Sequence, residues 1–302
     1  MPDPAVTGRF APSPTGPLHF GSLVAAAGSW LAARSRSGRW LVRIEDLDRN
    51  RVVPGSEDEI LRALERFGLV WDGTPVRQSE RLHFYGAAVE QLRRSGLAFD
   101  CACSRGEIQR AASAPAPGEA QRVYPGTCRA GLPNGRAARA VRFRVPAGPI
   151  TFEDRIAGRI TEDVAVSVGD FVIQRADGPY AYQLAVVVDD AEQGITEVVR
   201  GGDLLSSTGR QIALQRALGI AVPEYAHLPM IVGPDGSKLG KRDGALPLPL
   251  LDPKRVSDAL SRALAILGLE AEPSTPQAML ENALKDFSLE RVPRALRIAT
   301  IH

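Results

Sequence analysis

The stretch that decides the fold is residues 9–21, RFAPSPTGPLHFG. It predicts a short strand, a stiff turn and the start of a helix. Pro12 and Pro14 fix the backbone of the turn and lack amide donors, while Gly16 and Gly21 let the main chain approach a bulky ligand without an intervening Cβ. A glycine-bearing turn that leads into a helix N-terminus presents free N–H groups and the positive end of the helix dipole, so this segment is a candidate anion site.

The residues after the turn favour a helix. Residues 23–33 are rich in alanine and leucine, and Ser22 is a candidate N-cap. His19 lies where its ring could donate a hydrogen bond to a phosphate. The alternative is a surface turn in which the ring is only solvated.

Composition places few limits on function. The 302 residues are 44% hydrophobic and 24% charged, which is ordinary for a soluble globular chain of one large or two modest domains. The net charge of +2 provides no global basic surface, so any RNA contact would need a local patch. We expect no signal peptide and no membrane partner. The 3 cysteines do not form a disulfide framework, which favours a reducing cytoplasm.

A second strand is predicted over residues 39–45, followed by the charged, turn-like residues 46–51. A strand–helix–strand unit of this length should hold its strands parallel with a right-handed crossover. Ligands of such folds bind at the carboxyl ends of the strands, so the first turn and Glu45 should share one edge of the sheet. A solvated acidic loop is the alternative.

Two further segments are predicted to be helices with a structural role. Residues 56–59, SEDE, form a capping-box pattern for a helix to Phe67, with Gly68 as its stop. Ser79 is expected to open a helix through Arg94. Its core-facing stripe should be formed by Leu82, Tyr85, Val89 and Leu92.

Cys101, Cys103 and Cys128 cluster in one stretch of the chain. Zinc prefers four ligands, and Cys-x-Cys is tighter than the usual pair, so buried unreactive thiols are an open alternative. Residues 139–145 alternate arginine with apolar residues and predict a strand with one basic face, either solvated or contacting RNA phosphates.

The second half of the chain carries more predicted elements. Asp177-Gly178 marks a turn, residues 194–201 predict a strand that ends at Arg200, and a helix should run from 208 to 218. Residues 234–242, PDGSKLGKR, read as an exposed basic hairpin. Two terminal helices are expected, opened by Asp252-Pro253 and Thr275-Pro276.

Five of these segments resemble glutamyl-type class I aminoacyl-tRNA synthetases, in the same order along residues 9–242. Residues 12–21 are similar to the "HIGH" signature, and residues 234–242 to "KMSKS", with Gly240 in place of the usual serine. The other matches are Arg43-x-Glu45-Asp46-x-Asp48, the segment YQLAVVVDD at 182–190, and VVRGGD at 198–203. The cysteine segment, Cys-x-Cys…Tyr-x-x-x-Cys, is similar to the zinc-bearing connection of shortened relatives.

The resemblance implies an α/β fold: a Rossmann-like class I synthetase catalytic domain with a parallel sheet, a zinc-bearing insertion and a short C-terminal helical segment. The implied divisions are 1–98 and 151–245 for the two halves of the catalytic domain, 99–150 for the insertion and 246–302 for the helical segment. Those last residues are too few for an anticodon-binding domain. The most similar family is therefore that of the glutamyl-queuosine tRNA(Asp) synthetases.

The resemblance also implies roles for individual residues. His19 and Lys241 would be catalytic, and the zinc ligands would be Cys101, Cys103, Tyr124 and Cys128. Glutamate would be bound by Arg9, Phe10, Ala11, Pro12, Ser13, Glu45, Tyr182 and Arg200. ATP would be bound by Thr15, Gly16, His19, Gly21, Lys238 and Lys241, together with Mg²⁺.

The implied activity has two steps: ATP-dependent activation of L-glutamate to glutamyl-adenylate, then transfer to queuosine at the wobble position of tRNA(Asp). A monomer is the default expectation. One alternative is a truncated glutamyl-tRNA synthetase that charges a tRNA 3′ end, against which the chain length argues. Another is an inactive RNA-binding paralogue, which Gly240 favours and the intact His19, Lys241 and Arg200 oppose.

Overall fold

The predicted strand–helix–strand unit begins a parallel sheet. In the computed structural model, the described residues are 6–111, 123–232, 248, 252–294 and 297–299. The first sheet has the order β1-β2-β3, and all its pairings are parallel, as predicted for the first two strands. Its strands are β1 (Thr7–Phe10), β2 (Arg39–Ile44) and β3 (Val76–Arg77).

A second sheet continues the α/β layer with the order β7-β6-β10-β9. The strand β10 is parallel to both of its neighbours, whereas β6 and β7 form an antiparallel hairpin. The Thr196 backbone N–H donates to the Thr7 carbonyl oxygen at 3.0 Å and joins the two sheets. The strands are β6 (Ile150–Asp154), β7 (Gly158–Glu162), β9 (Glu197–Gly201) and β10 (Glu224–Leu228).

Two smaller sheets complete the strands. An antiparallel sheet has the order β4-β5-β8, formed by β4 (Ala98–Cys101), β5 (Ala140–Phe143) and β8 (Phe171–Gln174). A short parallel pair joins β11 (Met230–Val232) to β12 (Arg297–Ala299). The sequence patterns did not predict this last pair.

Helices cover the sheets and enclose two apolar cores. One core surrounds α1, β2, α8 and α9. The other lies between the β7-β6-β10-β9 sheet, the β4-β5-β8 sheet and the helices α3, α6 and α7. The helices are α1 (Phe20–Arg34), α2 (Ser56–Arg66), α3 (Leu82–Arg94), α4 (Arg105–Ala111), α5 (Val164–Ser167), α6 (Tyr182–Glu192), α7 (Leu205–Leu218), α8 (Pro253–Ile266) and α9 (Pro276–Asp286). No helix in the described part of the chain is long and apolar enough to cross a membrane.

The caps of the two terminal helices are confirmed. The Asp252 side chain accepts from the N–H groups of Lys254 and Arg255, and the Thr275 hydroxyl accepts from the N–H of Ala278. Proline follows each cap at the first helical position, where its missing N–H leaves no unmet partner.

Two other predicted helix caps were wrong, although α2 itself spans the predicted residues. The N-cap of α2 is Gly55, without a side-chain cap bond, because the hydroxyl of Ser56 bonds to the signature turn instead. The helix α3 begins at Leu82, since the hydroxyl and N–H of Ser79 both bond to Asp46. Leu82 is 41% exposed and does not belong to the core stripe that Tyr85, Val89 and Leu92 form.

Candidate active site

A cavity of about 470 Å³ lies at the carboxyl ends of β1, β2 and β9. It brings together the residues that the sequence predicted for glutamate: Arg9, Phe10, Ala11, Pro12, Ser13, Glu45, Tyr182 and Arg200. It also contains Thr15, Gly16, His19 and Gly21, which were predicted for ATP. One cavity therefore holds both predicted sets, as far as the described residues go.

The signature turn is fixed by hydrogen bonds to the segment after β2. The N–H of Glu45 donates to the Pro12 oxygen at 3.0 Å, and the N–H of Val53 donates to the Pro14 oxygen at 2.9 Å. The hydroxyl of Ser56 accepts from the Gly16 N–H at 3.0 Å and donates to the Gly16 oxygen at 2.8 Å. Gly16 has φ of 122°, a conformation that favours glycine.

His19, rather than the predicted Ser22, caps α1. Its Nδ1 accepts from the Ser22 backbone N–H at 3.1 Å. A neutral imidazole that accepts at Nδ1 carries its proton on Nε2, so this ring has a donor on its other edge. Gly21 supports the arrangement, because a Cβ there would meet the ring of His19 at 3.3 Å.

A buried charge network underlies the cavity. Asp190 accepts from Arg9 at 3.2 Å and from Arg43 at 2.7 Å, and Arg43 also contacts Glu45 at 3.3 Å. Burial raises the pKa of Glu45, and the guanidinium groups of Arg43 and Arg9 act in the opposite direction. Despite burial, the guanidinium groups of Arg9 and Arg43 hold the pKa of Asp190 below its usual value.

Arg200 reaches the cavity from the end of β9 with most of its donors already engaged. Its Nε donates to His227 Nε2 at 3.0 Å, and its Nη2 donates to the Thr208 hydroxyl at 2.9 Å. Its Nη1 is buried and has no hydrogen-bond partner among the described residues. Because an unmet buried cationic donor is costly, this nitrogen is suited to an anionic ligand group.

Tyr182 begins α6 and lies beside Arg200 on the cavity wall. Burial, followed by the negative charge of Glu45, raises the pKa of its hydroxyl. The side chain is therefore a neutral donor at physiological pH, next to the cationic end of Arg200.

The cysteine cluster forms a second candidate site, in the loop region between β4 and β5. The sulfur atoms of Cys101, Cys103 and Cys128 lie within 4.8 Å of one another, and all three thiols are free. The Tyr124 hydroxyl lies 3.5 Å from Cys101 Sγ and 3.9 Å from Cys103 Sγ. Zinc–sulfur bonds of about 2.3 Å at tetrahedral angles place ligand atoms about 3.8 Å apart, so this donor set fits the metal.

Arg142 supports the cluster instead of forming a basic surface. Its Nε donates to Cys101 Sγ at 3.3 Å and its Nη1 to the Asp170 carbonyl oxygen at 2.7 Å. Burial opposes ionisation of Cys101, but its hydrogen bonds with Tyr124 and Arg142 lower the pKa of its thiol. The predicted basic face of residues 139–145 was therefore wrong for Arg142, which is 7% exposed and bound internally.

Comparison with known proteins identifies the family. The model for tRNA synthetases class I (E and Q), catalytic domain, matches residues 5–298. A glutamyl-Q tRNA(Asp) synthetase from Geobacter sulfurreducens is 59% identical over 82% of this chain and 79% of its own. One from Aromatoleum aromaticum is 53% identical over 97% of this chain and 92% of its own. This chain belongs to the glutamyl-Q tRNA(Asp) synthetase family.

Solved structures agree with the fold. A glutamate tRNA ligase from Elizabethkingia meningosepticum, crystallised with its amino acid, has a TM-score of 0.81 and 30% identity and covers 97% of this chain. This chain spans 66% of the length of that ligase. The α/β class I synthetase fold and the ligase-type enzyme class of the glutamyl-Q tRNA(Asp) synthetase family are therefore confirmed for this chain.

The sequence analysis quoted Arg43 and Asp189 as parts of family segments but assigned neither of them a role in the site of this family member. Arg43 is completely buried, and Asp189 accepts from Gln78 at 2.8 Å, from Arg81 at 2.7 Å and from the Tyr85 hydroxyl at 2.7 Å. The available signal was the Asp-Asp pair at the end of YQLAVVVDD, since adjacent acids after an apolar helical run need buried partners.

The predicted lysines of the second signature, Lys238 and Lys241, lie outside the described residues, as does Gly240. Met230 and Ile231, just before that segment, line the cavity. The roles of Lys238 and Lys241 stay predictions.

Proposed function

We propose that this chain activates L-glutamate with ATP to form glutamyl-adenylate and then transfers the glutamyl group to queuosine in the anticodon of tRNA(Asp). The observation that carries the proposal is one cavity lined by Arg200, Glu45 and the His19 turn, in which Arg200 keeps one nitrogen without a hydrogen-bond partner among the described residues. The names of the relatives support the substrate and the acceptor.

Glutamate has two carboxylates and one ammonium group, and the cavity offers a complement for each. Arg200 Nη1 is the donor for a carboxylate, since Thr208 and His227 occupy its other side. Glu45 is the partner for the ammonium group, whose charge would favour the ionised carboxyl. Arg9, Ser13 and Tyr182 complete the set of polar groups, while Phe10, Ala11 and Pro12 form its backbone wall.

The first step needs placement and charge stabilisation rather than a general base. A glutamate carboxylate oxygen attacks the α-phosphorus of ATP, a new P–O bond forms, and pyrophosphate leaves with the electrons of the broken bond. The carboxylate is already an anion, so no proton has to be removed. His19 Nε2–H, the first amides of α1, Thr15, Gly16 and Gly21 would face the phosphates, and Lys238 and Lys241 would join them.

Mg²⁺ is implied by the class I family, and when bound to the triphosphate it offsets the phosphate charge. Zinc is proposed for Cys101, Cys103, Tyr124 and Cys128. The Tyr124 oxygen accepts from the Cys128 N–H at 2.8 Å, which orients it toward the three sulfurs. The metal would hold the chain segments of this region together, because it would join residues far apart in the sequence.

In the second step a hydroxyl of the queuosine ring diol attacks the activated carboxyl carbon. The ester forms, AMP leaves, and the hydroxyl proton goes to solvent or to the departing phosphate. We propose the same divisions for the chain: 1–98 and 151–245 as catalytic halves, 99–150 as the zinc-bearing insertion, and 246–302 as a helical segment. A reducing cytoplasm fits the three free thiols, and a monomer stays the default expectation.

The direct test is transfer of labelled glutamate to two preparations of tRNA(Asp), one with queuosine and one with unmodified guanosine. We expect label only on the queuosine tRNA, and periodate oxidation of the ring diol should abolish it. Label on the 3′ end of tRNA(Glu) would instead identify a short glutamyl-tRNA synthetase. An Arg200→Ala variant should lose the transfer, whereas Arg159→Ala, at an exposed arginine of the β6–β7 hairpin, should keep it.

A further inference from the structure

We infer that His227 is the positioning residue for Arg200 and that Asp154 sets its tautomer, so that a buried Asp154–His227–Arg200 chain fixes the glutamate-binding guanidinium. This inference rests on the proposed function, because it concerns how the same site holds its substrate. Neither residue lines the cavity, and no motif in the sequence indicated either.

The hydrogen bonds determine which imidazole nitrogen carries the proton. His227 Nδ1 lies 2.6 Å from Asp154 Oδ2, and both side chains are completely buried. On the other side of the ring, the Arg200 Nε–H points at Nε2 from 3.0 Å. An arginine can only donate and a carboxylate only accepts, so the neutral ring carries its proton on Nδ1 and accepts at Nε2.

The remaining contacts agree with this tautomer. The Thr208 hydroxyl lies 3.2 Å from His227 Nε2 and accepts from Arg200 Nη2 at 2.9 Å, so its own proton is available for the ring. The ring of Tyr225 stacks on His227 at 6.2 Å, and the guanidinium carbon of Arg200 lies 5.4 Å from the Tyr225 ring centre. Arg200, which lines the cavity, is thus held on its Nε edge and on one face, and its Nη1 stays without a hydrogen-bond partner among the described residues.

The charges around His227 favour the neutral ring. Burial lowers its pKa, and the positive charges of Arg200 on β9 and Arg9 on β1 act in the same direction. Asp154 on β6 opposes them, and Tyr225 faces the ring from its own strand. Protonation at low pH would place a donor against the Arg200 Nε–H and a second positive charge beside the guanidinium.

Asp154→Asn is the sharpest perturbation. The Asp154 Oδ1 atom accepts from the N–H groups of Ile156 and Ala157 at 3.0 and 2.7 Å, and an asparagine oxygen can keep these bonds. Its NH₂ group would then face His227 Nδ1 and force the proton onto Nε2, against Arg200. This isosteric change reverses the tautomer without removing a side chain, as a similar substitution does in serine proteases.

We expect the glutamate KM of Asp154→Asn, from ATP–pyrophosphate exchange with tRNA present, to rise about 10- to 100-fold, the value of a hydrogen bond to a charged group. The ATP KM should stay within about twofold, because His19 and its turn are untouched. The matched control is Asp170→Asn, a buried aspartate that accepts from the Val145 N–H at 2.9 Å and does not line the cavity. The inference would be overturned if the glutamate KM rose equally in Asp154→Asn and Asp170→Asn, or if the glutamate KM and the ATP KM of Asp154→Asn rose equally.

A pH profile separates positioning from a purely structural role. The wild-type glutamate KM should rise as the pH falls below the ordinary histidine value of about 6.5. In His227→Gln, the side-chain oxygen can accept from Arg200 Nε, so this variant should retain most of its affinity and lose the part of the rise that His227 causes. Any rise that Glu45 contributes would persist in both proteins. Identical profiles for the wild type and His227→Gln would overturn the inference.

An imidazole ¹H–¹⁵N correlation spectrum provides a test that needs no activity. The chain has 4 histidines, so the His227 signals can be assigned with single variants. The wild type should show a proton on Nδ1, and Asp154→Asn should show it on Nε2. A wild-type proton on Nε2 overturns the inference, whereas the expected tautomers without glutamate-dependent exchange would refute the proposed function alone.

Discussion

The hydroxyl of Ser56 should control ATP affinity without touching ATP. Ser56 is 1% exposed, and its hydroxyl makes two hydrogen bonds to the Gly16 peptide groups, at 2.8 and 3.0 Å. Ser56→Ala would leave a buried donor and a buried acceptor of the signature turn without their partner. Each unmet group costs about 1–3 kcal/mol, so the total penalty in the native geometry is about 2–4 kcal/mol with partial compensation.

That penalty should divide between stability and binding. Part of it would be relieved by movement of the Gly16 turn in the free protein, and this movement would have to be reversed when ATP binds. If about 1.4 kcal/mol is transferred in this way, the ATP KM rises about tenfold. The free energy of unfolding should fall by about 1–2 kcal/mol, measured by urea denaturation.

A matched control exists in the same core. Ser29 is 2% exposed, and its hydroxyl donates to the Ala26 oxygen and accepts from Trp40 Nε1, both at 3.0 Å. Ser29→Ala should therefore lose similar stability, while its ATP KM stays within about twofold of the wild type. The reasoning is refuted if both serine variants lose stability equally and neither changes the ATP KM in pyrophosphate exchange.

Four further perturbations test the charge network and the metal site. Arg43→Met should reduce the free energy of unfolding by about 3–5 kcal/mol in urea, since it leaves Asp190 and its neighbours as poorly paired buried acids. Burial raises the pKa of Glu45 above 4.5, so its contribution to stability is lost as the pH rises from that value. Glu45→Gln should accordingly be more stabilising at neutral pH than at low pH, while the glutamate KM increases. Tyr124→Phe should weaken zinc binding about tenfold or more in chelator competition, and zinc removal from the wild type should lower its Tm.

Local sequence patterns were sufficient to predict features in which a side chain bonds to the nearby backbone. Asp252 and Thr275 cap the helices that follow them, and the proline after each cap leaves few alternatives. The parallel pairing of the first two strands also followed from apolar patterns and the length of the intervening helix. These features depend on neighbours in sequence, and the rules that describe them are local.

The missed features depend on distant partners. Ser56 has the sequence context of a capping residue, but its hydroxyl bonds to a glycine 40 positions earlier. The sequence pattern placed Arg142 on the basic face of a strand. Its side chain instead donates to Cys101 Sγ and to the Asp170 carbonyl oxygen. A polar side chain can satisfy its hydrogen bonds in several ways, and only the three-dimensional fold determines which partner is within reach.

The partner of each buried arginine also supports the proposal that Arg200, rather than Arg9 or Arg43, is the main carboxylate receptor of the site. Arg9 and Arg43 share the carboxylate of Asp190, so much of their charge is already balanced inside the protein. Arg200 forms no ion pair with a carboxylate in the described part of the chain, and its partners Thr208 and His227 are neutral. The acid in this series of hydrogen bonds is Asp154, and it is linked to Arg200 only through the His227 imidazole. The guanidinium is thereby oriented without being neutralised, and its charge is left for the substrate.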